Sequence, residues 1–103
     1  MPKKILIVDD EPSIIVPVQF LMEQNGYEVM VAFSGEEAME IIAETKVDLI
    51  LLDIMLPVID GFEVCQRVRE NPQWNKIIII LLTALGSDAN VEKGLALGAD
   101  AYI

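Results

Sequence analysis

The chain has 103 residues, with 17 acidic side chains against 7 basic ones and a formal net charge of −10. This length favours one domain with one hydrophobic core, and a hydrophobic content of 53% excludes a disordered acidic tail. The negative charge argues against a nucleic-acid interface, which needs a basic face. Because the chain has no histidine and one cysteine, it contains no histidine-based triad, no internal disulfide and no cysteine-rich metal site.

The apolar runs also bear on membranes and location. The longest run, residues 77–82, is far shorter than the ~18 residues that a membrane helix needs. The run that follows Lys4 is too short for a signal-peptide core of about 7–15 residues. We therefore expect a cytoplasmic protein without membrane contact.

Apolar runs alternate along the chain with helical patterns. The runs predict strands at 4–8, 27–32, 47–52 and 77–82, and the start of a fifth at 101–103. The helices are expected from Pro12 to about residue 25, after the N-caps Ser34 and Asp60, and from about residue 87 or 88 to Ala96. This alternation predicts an α/β fold with a doubly wound parallel sheet.

Polar side chains follow three of the predicted strands. Asp9 and Asp10 come after the first strand, Asp53 after the third and Thr83 after the fourth. If the first and third strands are neighbours, these residues meet at the carboxyl edge of the sheet. Clustered carboxylates repel each other unless a cation lies among them, and Mg²⁺ fits such oxygen ligands best. The pattern therefore indicates phosphoryl transfer to a carboxylate, with the Thr83 hydroxyl bonding a phosphoryl oxygen.

Four motifs stand in order along the chain and carry a family resemblance. They are Val8-Asp9-Asp10-Glu11, the loop Leu52 to Gly61 (LDIMLPVIDG), Leu82-Thr83-Ala84, and Gly98-Ala99-Asp100-Ala101-Tyr102. Over nearly its whole length the chain resembles the receiver domain of bacterial two-component response regulators. The resemblance implies a flavodoxin-like sheet of strand order 2-1-3-4-5. It also implies a signalling module, not an enzyme beyond its own phosphorylation and dephosphorylation, whose partner is a histidine kinase or phosphotransfer protein.

The resemblance implies a role for each residue of the site. Asp53 would be the phosphoacceptor. Asp10 and Asp53 would ligate Mg²⁺ together with the backbone carbonyl of Met55, and Asp9 would act through water. Thr83 would bind the phosphoryl group and form a switch pair with Tyr102, which changes the surface near strands four and five.

One departure from the family concerns a lysine that pairs with the phosphoryl oxygens. In the family this lysine follows the position of Tyr102, whereas the sequence here stops at Ile103. We therefore expect residues 1–103 to be a single receiver domain, truncated before that lysine and the final helix, with strand five incomplete. This truncation would leave the fourth strand near an open apolar edge, from which we expect self-association.

Other interpretations stay open at this point. Asp9 and Asp10 would also suit a helix N-terminus, and Asp53 a turn. A phosphatase of the haloacid-dehalogenase type also uses an aspartate nucleophile with Mg²⁺, but it needs a second aspartate where this chain has Met55. A flavodoxin-like cofactor binder would need a Ser/Thr/Gly-rich loop after the first strand. A non-phosphorylated interaction module is the remaining alternative, because the lysine is missing.

Overall fold

The computed structural model describes residues 2–82 and 88–103, and of residues 88–90 it describes the backbone alone. The strands are β1 (Lys4–Val8), β2 (Glu28–Ala32), β3 (Leu49–Asp53), β4 (Ile78–Leu82) and β5 (Ala101–Tyr102). The helices that alternate with them are α1 (Pro12–Gln24), α2 (Gly35–Glu44), α3 (Gly61–Glu70) and α4 (Asp88–Ala96). Each predicted element is therefore confirmed, with small shifts at the ends.

The strands form one sheet in the order β2-β1-β3-β4-β5, and every pairing is parallel. This confirms the doubly wound α/β fold and the strand order that the family resemblance implied. Val8 pairs with Leu52, and Asp53 pairs with Leu82. The carboxyl ends of β1, β3 and β4 consequently lie side by side.

The two faces of the sheet carry cores of unequal size. The larger core packs strand residues such as Leu6, Ile50 and Leu81 against α2 and α3, including Ala38, Ile42, Val64, Cys65 and Val68. On the other face, Ile5, Ile7 and Leu51 pack against Ile15 of α1. Because side chains alternate along a strand, Ile78, Ile80 and Leu82 of β4 point to the face of the smaller core.

The outer edge of β4 is paired although β5 is short. Ile80 pairs with Ala101 and Leu81 with Tyr102. The Ile103 N–H donates to the Leu81 carbonyl at 2.8 Å and continues this ladder. The sequence predicted an open edge near β4. The structure instead places the free edge of the sheet at β5, because three residues are enough to cover most of β4.

Two predicted helix caps are present and start α2 and α3. The Ser34 hydroxyl oxygen accepts a hydrogen bond from the Glu37 N–H at 3.1 Å, and an Asp60 carboxylate oxygen accepts one from the Glu63 N–H at 2.9 Å. The Glu37 carboxylate accepts from the Phe33 N–H, one residue before the expected partner. The Asp60 cap begins α3 directly behind the loop that follows Asp53. In the described parts of the chain, no helix is both long and apolar enough to cross a membrane.

Candidate functional site

Three aspartates meet at the carboxyl edge of the sheet. Asp9 and Asp10 directly follow β1, and Asp53 is the last residue of β3. One carboxylate oxygen from each of the three lies within 4.8 Å of the others. The parallel pairing of β1 with β3 produces this convergence, since it brings the ends of both strands to the same place. The oxygens are close enough to share one small cation.

The environment of Asp9 favours a cation among these carboxylates. Asp9 is 2% exposed and is the one buried charged residue in the described part of the chain. Burial raises the pKa of its carboxyl group, and the nearby charges of Asp53, Asp10 and Glu11 raise this pKa further. A hydrogen bond from the Glu11 N–H, at 2.9 Å, acts in the opposite direction. A bound cation would relieve the repulsion among these carboxylates.

The side chain of Asp53 is more exposed to solvent than that of Asp9. It is partly buried, and one carboxylate oxygen accepts a hydrogen bond from the Met55 N–H at 3.0 Å. This bond limits the rotation of the carboxylate. Asp10 is exposed beside it. An incoming group can therefore reach Asp53 from solvent while Asp9 stays behind it.

The aspartates line a cleft of about 410 Å³. The other lining residues are Glu11, Ile14, Met55, Leu82 and Ile103. The sequence did not predict that Ile14, Leu82 and Ile103 border the site, because apolar residues in α1, β4 and after β5 carry no motif. Only the packing of these elements brings them to the carboxylates. A second cavity of about 420 Å³, lined in part by Lys46 and Trp74, lies at the opposite end of the sheet, away from the three aspartates.

The loop from Asp53 to α3 closes on itself. A Cβ on Gly61 would lie 2.4 Å from the carbonyl oxygen of Asp53, which leaves room for glycine alone. The Gly61 N–H also donates to the Ile54 carbonyl at 3.2 Å. Leu56 is buried inside the loop, whereas Val58 is 89% exposed at its tip and has a φ of 66°. A β-branched residue at positive φ is a strained backbone position.

Of the two predicted switch residues, the structure describes Tyr102 but not Thr83. Thr83 lies outside the residues that the structure describes. The ring of Tyr102 packs beside α4, where a Cβ on Gly94 would lie 3.3 Å from the Cδ2 atom of the ring. The Tyr102 hydroxyl is buried and has no hydrogen-bond partner among the described residues.

Arg69 is a residue that the motifs did not indicate. It lies on α3, and its Nε donates to the Gly98 carbonyl at 2.7 Å and its guanidinium to the Ile77 carbonyl at 2.6 Å. It also forms an ion pair with Asp100 at 2.7 Å, and the same Asp100 oxygen accepts from the Ile79 N–H. Arg69 thereby ties α3 to the start of β4 and to the turn before β5.

Known proteins are similar to this chain in sequence and in fold. The sequence model of the response regulator receiver domain family matches residues 5–103. The alkaline phosphatase synthesis transcriptional regulatory protein PhoP of Bacillus subtilis is 47% identical over 103 residues, which are 100% of this chain and 42% of that protein. The chain thus spans less than half the length of this relative.

Solved structures agree with the sequence match. The chemotaxis protein CheY4 of Vibrio cholerae superimposes with a TM-score of 0.94 at 34% identity, over 100% of this chain and 86% of that one. The BeF3-activated N-terminal receiver domain of Klebsiella pneumoniae RstA gives a TM-score of 0.89 at 40% identity, over 98% of this chain and 84% of that one. With its parallel sheet and its three converging aspartates, the chain belongs to the response regulator receiver domain family.

Proposed function

We propose that this chain is a phosphoaccepting receiver in which Asp53 takes a phosphoryl group from a histidine kinase or a phosphotransfer protein. The observation that supports this proposal is the meeting of Asp9, Asp10 and Asp53 within 4.8 Å in a cleft open to solvent. Asp9 and Asp53 each accept a hydrogen bond from the backbone N–H two residues later. Asp53 suits the acceptor role because it is the more accessible of the two. Asp9 is too deeply buried for an incoming group.

The proposed transfer follows from the chemistry of a carboxylate nucleophile. An oxygen of Asp53 attacks the phosphorus of the partner's phosphohistidine and forms an acyl phosphate. The phosphorus–nitrogen bond breaks, and the leaving imidazole takes up a proton. The Met55 N–H holds the carboxylate in one orientation during this approach. Thr83 remains the proposed hydrogen-bond donor to a phosphoryl oxygen and Tyr102 its proposed switch partner.

The same residues suit Mg²⁺, which prefers oxygen ligands and a small number of carboxylates. We assign Asp10, Asp53 and the Met55 carbonyl as direct ligands and Asp9 as a ligand through water. Mg²⁺ in this site would supply the positive charge that an incoming phosphoryl anion needs beside three carboxylates. This donor set, composed of oxygens alone, supports the assignment.

We also propose that these residues serve as the receiver part of a longer cytoplasmic regulator. The support comes from the length of PhoP, of which the matched residues are 42%. The output of such a regulator would be controlled through the surface near β4 and β5, which includes Tyr102.

The acceptor assignment is tested by labelling the lysine-containing parent protein with a small phosphodonor. We expect labelling that depends on Mg²⁺ and is lost in Asp53→Asn, because the amide is not a nucleophile. Asp48→Asn is the matched control, since Asp48 lies just before β3 at the opposite end of the sheet and bonds the Lys4 N–H there. Labelling that survives Asp53→Asn would sink the assignment.

A second candidate function is an interaction module that is not phosphorylated. The observation that favours it is the charge of the cleft, since none of the described residues that line it is basic. A phosphoryl group on Asp53 would then have no cationic side chain beside it among these residues. The two candidates differ in whether the cleft retains a phosphoryl mimic.

A further inference from the structure

The cavity of about 420 Å³ at the amino end of the sheet lies on the side that α2 and α3 cover. Its floor is apolar, because Ile42, Val47 and Ile77 are buried members of the larger core. Trp74 borders the cavity and also packs against this core, which holds its indole ring in place. Cavities of about 300–1,000 Å³ with an apolar lining and a few polar groups are typical of small-molecule sites. Size and lining therefore make this cavity a candidate binding site.

The rim of the cavity carries two ammonium groups without a carboxylate partner. Lys46 and Lys76 line the cavity just before β3 and β4, and both are exposed. The ion pairs in the described part of the chain use Arg67 and Arg69 instead. A lysine ammonium is a compact charge with three donors and binds phosphate well. The two lysines are therefore placed to meet an anion that enters from solvent.

Carboxylates also lie near the cavity, but the lysines outnumber them. Glu44 and Asp48 line it, and the Asp48 carboxylate accepts a hydrogen bond from the Lys4 N–H at 2.8 Å. A smaller cavity of about 240 Å³ shares Lys46 and Asp48 with the first and adds two more lysines. The two linings together hold four lysines and two carboxylates, and Glu28, the neighbour of Lys4 on β2, lines neither. The aspartate cleft, by contrast, has no basic residue in its described lining.

We propose that the cavity at the amino end of the sheet binds a small organic phosphate with a flat ring, the chemistry of a mononucleotide. The ring stacks on the indole of Trp74, as nucleobases stack on aromatic side chains. The phosphate pairs with Lys46 and Lys76 at the rim. Thr45 and Gln73, which also line the cavity, can donate and accept further hydrogen bonds. Because the cavity lies at the opposite end of the sheet from the three aspartates, this inference goes beyond the proposed function and is tested separately.

Titration with adenosine monophosphate (AMP) in the presence of EDTA tests the site. Trp74 is the one tryptophan of the chain, so its fluorescence reports on the cavity. Without a divalent cation, the three aspartates repel AMP. We expect quenching that saturates with a dissociation constant of about 1 mM or tighter. Absence of saturable quenching, or binding that appears only with Mg²⁺, would overturn the proposal.

Fragments of AMP separate the contributions of the ring and the phosphate. Adenosine has the ring without the phosphate, and inorganic phosphate has no ring to stack on Trp74. Each should compete with AMP at least about tenfold more weakly than AMP itself binds. Competition by inorganic phosphate as strong as AMP binding would contradict stacking, and equally strong competition by adenosine would contradict the role of the lysines.

Three charge variants locate the phosphate. Lys46→Gln and Lys76→Gln should each weaken AMP binding at least about threefold, the effect of losing one exposed ion pair. Lys93→Gln is the matched control, since it changes the net charge equally but its ammonium lies over the Phe62 ring. None of these variants should change the weaker binding of adenosine. Equal weakening of AMP binding by all three would show that AMP responds only to net charge, and the proposal would be wrong.

A variant of the indole tests stacking. Trp74→Leu keeps an apolar contact with the core and should weaken AMP binding, measured by calorimetry, at least about fivefold. Thermal unfolding shows whether this variant folds. Gln73→Glu adds a carboxylate at the exposed rim and leaves the indole intact, so it should weaken AMP binding even where Trp74→Leu does not fold. Unchanged AMP binding in folded Trp74→Leu, or in Gln73→Glu, would overturn the proposal.

Discussion

The buried carboxylate of Asp9 makes the fold of the metal-free chain sensitive to pH. Its raised pKa means that the folded chain binds a proton at higher pH than the unfolded chain does. Above this raised pKa the charge on Asp9 lowers the free energy of unfolding. As the pH falls through this pKa, Asp9 is protonated in the folded chain before it is protonated in the unfolded chain. The free energy of unfolding that the charge had removed is then restored.

Asp9→Asn is therefore expected to raise the melting temperature of the metal-free chain at pH 7. The amide oxygen can still accept the Glu11 N–H, so the variant removes the charge and keeps the bond. The gain should shrink as the pH falls, because wild-type Asp9 becomes protonated as well. Glu40→Gln removes one charge from the exposed surface of α2 and serves as the control. Thermal unfolding from pH 7 to pH 4 checks this, and an unchanged or lower melting temperature at pH 7 would contradict it.

Val58 is a second residue whose conformation predicts an effect on stability. With a φ of 66° and 89% exposure, it carries backbone strain and contributes little packing. Val58→Gly should raise the free energy of unfolding by about 1 kcal/mol, because glycine adopts positive φ without the clash of a Cβ. Val58→Ala keeps a Cβ and should gain much less. Urea denaturation of both variants measures the difference, and a loss of stability in Val58→Gly would refute the strain.

At the scale of elements, Arg69 connects parts of the chain that are distant in sequence. Arg69→Met removes its bonds to the Gly98 and Ile77 carbonyls and its ion pair with Asp100. We expect a loss of about 2 kcal/mol, mostly from the carbonyl bonds, because Asp100 is half-exposed and its ion pair is screened. Arg67→Met breaks only the exposed pair with Glu63 on the same helix and should lose less than about 0.5 kcal/mol. Chemical denaturation compares the two, and similar losses would contradict a connecting role for Arg69.

The helices and strands could be predicted because local signals and the fold agree. The caps Ser34 and Asp60 act over three residues, and a short apolar run is sufficient to indicate a buried strand. Gly94 lies inside α4, where glycine ordinarily lowers helix stability, and the structure supplies its reason, since Leu81 and Tyr102 pack against it. Arg69 could not be predicted in this way, because its partners lie on segments that only the folded sheet brings together.

At the scale of the whole molecule, the parallel sheet explains how far the site could be predicted. Strand ends share one edge, so Asp9, Asp10 and Asp53 were predictable as a group once the first and third strands were taken as neighbours. The apolar border of the cleft depends instead on how α1 packs and where the chain continues after β5. The positive φ of Val58 also had no signal, because valine does not favour it.

The charge of the cleft predicts how the 103-residue chain treats a phosphoryl mimic. We expect it to bind Mg²⁺ through the aspartates but to bind beryllofluoride at least about tenfold more weakly than the proposed longer regulator with the lysine that the resemblance implies, since one charge-assisted hydrogen bond contributes about 1.5–3 kcal/mol. Calorimetric titration in Mg²⁺ with and without beryllofluoride measures this. Asp53→Asn in the parent is the control for binding at the site. Tight beryllofluoride binding by the 103-residue chain would contradict the expectation and disfavour the unphosphorylated module.

The loop between Asp53 and Gly61 combines tightly packed ends with exposed side chains between them. The two ends of the loop are in contact, and Gly61 lies so close to the Asp53 carbonyl that no larger residue fits there. At its tip, the side chains of Met55 and Val58 are exposed. Substitutions of these two side chains can therefore alter the surface beside Asp53, the proposed acceptor, while Asp53 keeps its position. One short loop lets a common chemical site acquire many recognition surfaces during evolution.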